Sequence, residues 1–244
     1  MTGSASEFEF RHRVWFFLLL FCGAFTLYRW QGGSAAGWLA QRLVGPAADE
    51  RTFLLALRVL CALGALCTLF AAGVRTWATA YLHHSIVHDS ALHADRVVAD
   101  GPYRFVRNPL YLGVQLLALG MAPLAQRWGA IPLILGTWVF QRRLIAREEA
   151  ELSLTQGETY RAFLAAVPRL WPALRPRLPS SGRRPLWGQA FFGESFLWGF
   201  AAATTLFVVT LNARWFGLSC AGAMAFYAIT RAAAALMRAP KGSG

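Results

Sequence analysis

The sequence predicts an all-α, polytopic membrane protein with about six transmembrane helices and a cytoplasmic helical extension. Of its 244 residues, 56% are hydrophobic and only 15% are charged, whereas soluble domains average about 25% charged residues. The apolar residues are concentrated in stretches that approach or reach the roughly 18 residues needed to cross a bilayer as a helix. Most of these stretches lack the polar stripe of a helix on the surface of a soluble protein.

The predicted spans alternate with polar segments along the chain. They cover residues 14–28, 53–76, 110–126, 131–140, 190–211 and 215–236. The first span follows Arg11 and Arg13 and is interpreted as an uncleaved anchor, although a cleaved signal peptide has the same layout. A short link makes the third and fourth spans a helical hairpin. The Pro-rich stretch 172–185 is predicted to be a linker before the last two spans.

The net charge of +12 comes almost wholly from arginine. The arginines lie between the apolar spans instead of on one face of a globular domain, which argues against binding to nucleic acid. Six spans place both termini, the 81–108 loop and the 141–186 segment on one side. The positive-inside rule makes this arginine-rich side cytoplasmic. The 29–51 loop also carries three arginines and fits this orientation least well.

The cysteines and histidines are interpreted as structural. The cysteines are Cys22, Cys61, Cys67 and Cys220. They lie within apolar spans and form no C-x-x-C, so neither a disulfide framework nor a zinc site is predicted. A histidine cluster at 83–93 includes His84 and His88, which share a helix face. A membrane di-iron enzyme needs more than the five histidines present, and a polar interfacial helix is favoured over a metal site.

The stretch 101–113, Gly-Pro-Tyr-Arg-Phe-Val-Arg-Asn-Pro-Leu-Tyr-Leu-Gly, is the most informative in the chain. Its first two residues predict a turn, Asn108 a helix N-cap and Pro109 the first helical position. A membrane helix therefore begins at the cytoplasmic interface, where its N-terminal amides favour an anion. Arg104 and Arg107 add positive charge there. The alternative is that these side chains only anchor the helix at the interface.

A second feature follows the hairpin. Helix-forming residues continue to about residue 155, so a rod of about 36 Å is expected to protrude into the cytosol. Gly157 is its expected stop. Glu148 and Glu149 then lie near the start of the 109 helix, while Glu151 is expected to pair with Arg147 one turn earlier. Positive charge at Arg104 and Arg107 and negative charge at Glu148 and Glu149 suit a zwitterionic ligand with an amino-acid end, such as S-adenosylmethionine.

The 101–113 stretch resembles the signature of isoprenylcysteine carboxyl methyltransferases and the related phospholipid methyltransferases. The later Glu148-Glu149, Gly157, Tyr160-Arg161 and Val167-Pro168-Arg169 are similar to the same family in order and approximate spacing. The resemblance covers about residues 96–172. It implies an integral membrane methyltransferase that binds S-adenosylmethionine on the cytoplasmic side and methylates a lipophilic acceptor, either a carboxylate or the amine of a lipid, arriving from the bilayer.

The resemblance also implies site residues. Arg107 and Glu149 are the catalytic candidates. The predicted cofactor-binding residues are Tyr103, Arg107, Asn108, Pro109, Tyr111, Gly113, Glu148 and Glu149. The family commonly has histidine at the position of Asn108, and because asparagine cannot titrate, no proton transfer is expected there.

The chain divides into four predicted parts. They are N-terminal spans and a connector (1–95), the methyltransferase core (96–172), a linker (173–188) and a C-terminal helix pair (189–244). Two alternatives share parts of the pattern. One is an NADPH-dependent membrane reductase of the steroid-reductase type. The other is a transporter or structural membrane protein, for which Arg58 and Glu194 are the only candidate intramembrane charges.

Overall fold

The computed structural model describes residues 3–26, 33–82 and 99–238, with side chains up to residue 233. The described chain is helical and contains no β-strand. Its helices are α1 (Glu7–Arg11), α2 (Arg13–Thr26), α3 (Ala35–Val44), α4 (Glu50–Tyr81), α5 (Pro109–Met121), α6 (Arg127–Ala166), α7 (Trp187–Gly193), α8 (Ser195–Thr210) and α9 (Ala213–Arg238). Short 3₁₀ turns at Gly101–Arg104 and Ala122–Leu124 flank α5. The predicted all-α class is confirmed.

Among the described residues, α4 is the one helix that is long and apolar enough to cross a membrane by itself. It has 32 residues and a mean hydropathy of 2.3 over its most apolar stretch, and it extends for about 48 Å. The α7–α8 pair passes the same test as a single span, but it is bent by 62°. Helix α2 and the α5 helix with its following turn are apolar but shorter. One or two of the six predicted spans are thus found by length and composition.

Helix α3 lies within residues 29–51, which were predicted to form a loop. The Ser34 hydroxyl accepts a hydrogen bond from the Gly37 amide at 3.0 Å and begins the helix. Gly45 ends it with a φ of 82°. The small side chains of Ala36 and Ala40 are buried. A ten-residue helix is too short to stand out as a span, and it therefore does not appear in the predicted topology.

Helix α6 contains the second half of the predicted hairpin and its extension. The Gln126 side chain begins the helix by accepting hydrogen bonds from the amides of Trp128 and Gly129, at 2.8 and 2.9 Å. Helical backbone continues to Gly157, whose φ of 57° interrupts it before a further helical segment ends at Ala166. The expected stop at Gly157 is therefore a break within a longer helix.

Helix α4 packs closely against α5 and α8. A Cβ atom added to Gly120 of α5 would lie only 2.7 Å from the carbonyl oxygen of Gly64 in α4, so this approach requires glycine. Hydroxyl groups join α4 to α8, with Thr68 and Thr204 2.7 Å apart. Further along, the Trp198 indole donates to Thr76 at 3.0 Å. Helices α7 and α8 therefore pack on the same central helix as α5, and α9 packs on α8.

The N-terminal helix α1 is held against the outer part of α6 by ion pairs. Arg143 contacts Glu9 at 2.8 Å, and Arg147 contacts Glu7 at 2.5 Å. The expected pairing of Arg147 with Glu151 is therefore wrong. A tertiary partner from the N-terminus takes the guanidinium instead, because α1 lies across this face of α6.

Candidate active site

The 3₁₀ turn and the start of α5 form the first wall of the candidate site. Gly101 has a φ of 57°, and a Cβ there would lie 2.4 Å from the Tyr81 ring. The turn therefore needs glycine for both its backbone conformation and the close approach of α4. Pro102 and Tyr103 are buried behind it. The predicted turn at Gly101-Pro102 is confirmed.

Helix α5 begins at Pro109, with Asn108 at the N-cap position as predicted. The Asn108 side chain makes no capping hydrogen bond, however. Its backbone, with φ −121° and ψ 60°, lies outside the extended conformation usual for capping residues. The side-chain amide instead donates to the carbonyl oxygen of Arg169 at 3.1 Å. Asn108 thus ties the start of α5 to the chain that follows α6.

Glu149 lies between two arginines. Its carboxylate is 3.5 Å from Nη1 of Arg107. The Arg169 guanidinium also donates to both carboxylate oxygens, from Nε at 3.3 Å and from Nη2. Glu149 is only 6% exposed. Glu149 thus lies near the start of α5, as expected, and contacts Arg107 directly. The contact with Arg169, which belongs to the Val167-Pro168-Arg169 sequence, was not predicted.

Glu148 faces a different partner. The Tyr111 hydroxyl of α5 donates to Glu148 Oε1 at 2.7 Å. Burial raises the pKa of the Glu148 carboxyl, and this effect outweighs the opposing influence of Tyr111 and of the positive charge on Arg13. The adjacent glutamates therefore connect α6 to α5 on one side and to the arginine pair on the other.

Two buried hydrogen-bond donors on the 101–108 segment have no partner within the described part of the chain. They are the Tyr103 hydroxyl and Nε of Arg107. Burial raises the pKa of Tyr103, so the hydroxyl keeps its proton and remains a donor. Buried polar groups in proteins are nearly always hydrogen-bonded. These two donors without a partner therefore suit a ligand that carries acceptor oxygens.

Gly113 has a structural environment that the sequence did not indicate. A Cβ at this position would lie 2.2 Å from Cγ of Arg75. Arg75 extends from α4 across Gly113 and pairs with Glu194, whose carboxylate oxygen lies 2.8 Å from Nε. Gly113 therefore allows the Arg75 side chain to pass close to the backbone of α5. Pro109, the other backbone position among the predicted site residues, is buried in the first turn of α5.

Arg75 and Arg169 are the charged residues that the sequence reasoning missed. A signal for Arg75 was present, because Glu194 is the only acidic residue after Glu158. A lone acid within apolar helices requires a partner. Arg58, the other candidate intramembrane charge, borders an open cavity of about 700 Å³ at the opposite end of α4. That cavity is separate from the candidate site.

The geometry coincides with a family signature. Residues 62–154 match the model of the isoprenylcysteine carboxyl methyltransferase (ICMT) family. The match begins within α4 and ends within α6, so it contains Arg75, the 101–113 stretch and both glutamates. The resemblance predicted from the sequence is thereby confirmed, and it points to a membrane methyltransferase. The ICMT match does not reach Arg169 or the C-terminal helices.

No curated protein and no solved structure gives a significant match to this chain. The histidine cluster at 83–93 lies outside the described residues. Within those that are described, no group of three or more potential ligands is placed to hold a metal ion.

Proposed function

We propose that this protein is an S-adenosylmethionine-dependent methyltransferase that acts on a lipophilic acceptor at the cytoplasmic face of a membrane. The observation that carries the proposal is the cluster at the start of α5 in which the buried Glu149 lies against Arg107 and Arg169. The ICMT match supports the reaction class. The apolar helix α4 supports the membrane location.

The residues of the cluster fit the amino-acid end of S-adenosylmethionine. A carboxylate would accept hydrogen bonds from the free Arg107 Nε and from the Tyr103 hydroxyl, both of which are buried without a protein partner in the described chain. An ammonium group would pair with Glu149, which already lies against two cations. Arginine and glutamate at these positions therefore hold the two ends of a zwitterion by charge-assisted hydrogen bonds.

The remaining predicted site residues have supporting roles in this proposal. Asn108 and Pro109 fix where α5 begins. Tyr111 orients Glu148 through its hydroxyl, and Gly113 leaves room for Arg75. These contacts hold the start of α5 against α4 and α6, and so keep the binding groups in one geometry, as efficient methyl transfer requires.

S-adenosylmethionine supplies an electrophilic methyl group on a sulfonium ion. Arg107 and Glu149 would orient it, and a positioned methyl group favours direct displacement, which neutralises the sulfonium charge. A carboxylate acceptor needs no general base. An amine acceptor must first lose a proton, and Glu148 is then the candidate base, since burial raises the pKa of its carboxyl.

The proposed topology has six spans, with both termini and the candidate site in the cytoplasm. It is supported by the arginine distribution. It is also supported by the position of the site near Tyr81, the last residue of α4, after which the polar part of the chain begins. The lipophilic acceptor would approach from the bilayer that surrounds α4 and α5.

Labelling with a methyl-radiolabelled cofactor tests the proposal. Purified protein is incubated with the labelled cofactor and a host lipid extract, and the labelled product is identified. A methylated lipid amine would assign the phospholipid branch, whereas a base-labile methyl ester would assign carboxyl methylation. Failure to bind S-adenosylmethionine together with clear binding of NADPH would overturn the proposal in favour of a reductase.

A further inference from the structure

Arg75 and Glu194 form a buried ion pair between two parts of the chain that are far apart in sequence. Arg75 donates to both carboxylate oxygens of Glu194, from Nε at 2.8 Å and from Nη2 at 3.0 Å. The Thr79 hydroxyl adds a third hydrogen bond at 2.7 Å. The Glu194 side chain is 6% exposed. A two-pronged contact of this kind restricts both position and orientation.

Glu194 stands at the bend between α7 and α8, where the two helices meet at 62°. It lies outside the segment matched to the ICMT family, whereas Arg75 lies inside it. The C-terminal helix pair is thus joined to the matched segment by a charged contact as well as by packing. Thr76 and Thr79 lie on the same stretch of α4 and hydrogen-bond to Trp198 and Glu194 respectively.

The same arginine reaches α5. Its Nη1 donates to the carbonyl oxygen of Leu110 at 3.3 Å, within the first turn of that helix. Its aliphatic part crosses Gly113, where no side chain larger than hydrogen fits without a shift. One guanidinium therefore contacts both Glu194 and the turn of α5 that carries Tyr111. Loss of the carboxylate would leave a partly buried cation without its counter-charge, which favours movement of the arginine.

We propose that Glu194 is a positioning residue, which acts through Arg75 to hold the first turn of α5 in place. The inference rests on the proposed function for its catalytic consequence, because the affected turn follows Asn108 and carries Tyr111. The C-terminal helix pair, which lacks a match to the family, thereby becomes part of the site. Without Glu194, the binding groups on either side of α5 lose their fixed spacing.

Hydrogen exchange detected by mass spectrometry tests the mechanical step without reference to activity. Glu194→Gln is compared with the unmodified protein and with Thr204→Val, which removes a different polar contact between α4 and α8. In Glu194→Gln we expect amides 110–114 to exchange roughly tenfold faster, with no change there in Thr204→Val. Faster exchange confined to 187–200 would overturn the proposal, because the pair would then stabilise only the C-terminal helices.

Kinetics tests the consequence for the site. In Glu194→Gln, KM for S-adenosylmethionine should rise roughly tenfold with kcat within about twofold, whereas a loss of folded protein would lower the apparent kcat at constant KM. Glu194→Asp, which keeps the charge, should recover most of the affinity. If Glu194→Gln fails to fold, Thr79→Val replaces it, because this variant removes one hydrogen bond and keeps both charges. It should raise KM by a smaller factor.

The two proposals fail in different ways. If the unmodified protein binds no S-adenosylmethionine, the proposed function is wrong, and hydrogen exchange still decides whether Glu194 holds α5. If the unmodified protein is an active methyltransferase and Glu194→Gln changes neither KM nor the exchange of 110–114, the positioning role is wrong and the proposed function stands.

Discussion

Glu148 and Glu149 are neighbours in sequence but lie in different electrostatic environments. Successive residues of a helix point about 100° apart, so one carboxylate meets Tyr111 and the other meets Arg107 and Arg169. Contacts with two arginines fix the Glu149 carboxylate in position. Glu148 has no cation of that kind in direct contact among the described residues, and burial raises the pKa of its carboxyl. In the proposed function, ligand binding therefore falls to Glu149 and any proton transfer to Glu148.

Arg107→Ala and Glu149→Ala should each weaken binding of S-adenosylmethionine by roughly thirtyfold or more, or about 2 kcal/mol. Arg107→Ala removes a proposed donor to the ligand carboxylate, and Glu149→Ala removes the proposed partner of its ammonium group. Isothermal titration calorimetry measures the effect. Matched controls are Arg161→Ala and Glu151→Ala, at exposed positions on the same helix, and these should bind as tightly as the unmodified protein. Equal affinity in all four variants would contradict the assigned site.

Tyr103→Phe separates ligand binding from folding. Because the Tyr103 hydroxyl has no hydrogen-bond partner in the described residues, its removal should leave Tm unchanged or slightly higher. Binding of S-adenosylmethionine should weaken by roughly 5–10-fold, the loss expected for one hydrogen bond. Tyr111→Phe is the comparison, since it breaks the bond to Glu148 and should lower Tm. A lowered Tm with unchanged affinity in Tyr103→Phe would contradict a ligand-binding role for the hydroxyl.

At the scale of elements, the irregular chain between α6 and α7 lies along the first wall of the candidate site. The Arg107 amide donates to the carbonyl oxygen of Pro168, and the Ala173 amide donates to that of Phe105, both at 2.9 Å. Asp100 binds the far end of this chain by accepting hydrogen bonds from Ser180, Ser181 and the Arg183 amide. The stretch predicted as a linker therefore covers the 100–108 segment.

Asp100 makes this contact depend on pH. Burial would raise the pKa of its carboxyl, but hydrogen bonds from Ser181, Ser180 and the Arg183 amide lower it to about 2. Since the pKa is lowered on folding, the stabilisation is complete above the unfolded value of about 4 and is lost as pH falls toward 2. Asp100→Asn should lower Tm by roughly 2–4 °C at neutral pH.

Thermal unfolding between pH 7 and pH 2.5 measures the Asp100 contribution. The difference in Tm between Asp100→Asn and the unmodified protein should shrink as the solution becomes more acidic than about pH 4. Glu158→Gln alters an exposed carboxylate and serves as the control, with little change in Tm at any pH. A Tm difference that stays constant down to pH 2.5 would show that the Asp100 charge does not hold the segment.

At the scale of the whole molecule, α4 connects the candidate site to the C-terminal helices. It contacts α5 through Gly64 and Gly120, and α8 through Thr68 and Thr204. Large apolar side chains on its outer surface, among them Leu55, Leu63 and Phe70, are exposed, as suits a helix surrounded by lipid. The fold therefore places the polar cluster at one end of an apolar bundle.

Fusion reporters test the proposed six-span topology. A reporter that is active only in the cytoplasm should be active after residue 244 and after residue 170. It should be inactive when inserted at 127, because the α5–α6 link is proposed to lie on the opposite side. A reporter that folds only outside the cytoplasm should give the reverse pattern. Activity of the cytoplasmic reporter at 127 would contradict the hairpin orientation and remove the argument for a cytoplasmic site.

The sequence by itself determined the features that depend on local chemistry. Apolar composition and apolar stretches of span length predicted an all-α chain, which is confirmed. Gly101-Pro102 and Asn108-Pro109 predicted a turn and the start of α5, because few residues tolerate those backbone positions. Gly157 was expected to end the helix, but it is a break within α6, which continues to Ala166. The family resemblance was also visible in residues 101–113.

Only the tertiary structure decided which distant side chains meet. The pairing of Arg169 with Glu149, of Arg75 with Glu194 and of Asp100 with Ser181 joins residues separated by 20, 119 and 81 positions. Local periodicity carries no information about such contacts, because a buried charge takes whichever partner the packing brings near it. The Asn108 side chain likewise donates a hydrogen bond to the Arg169 carbonyl instead of capping α5, since the chain after α6 passes close by.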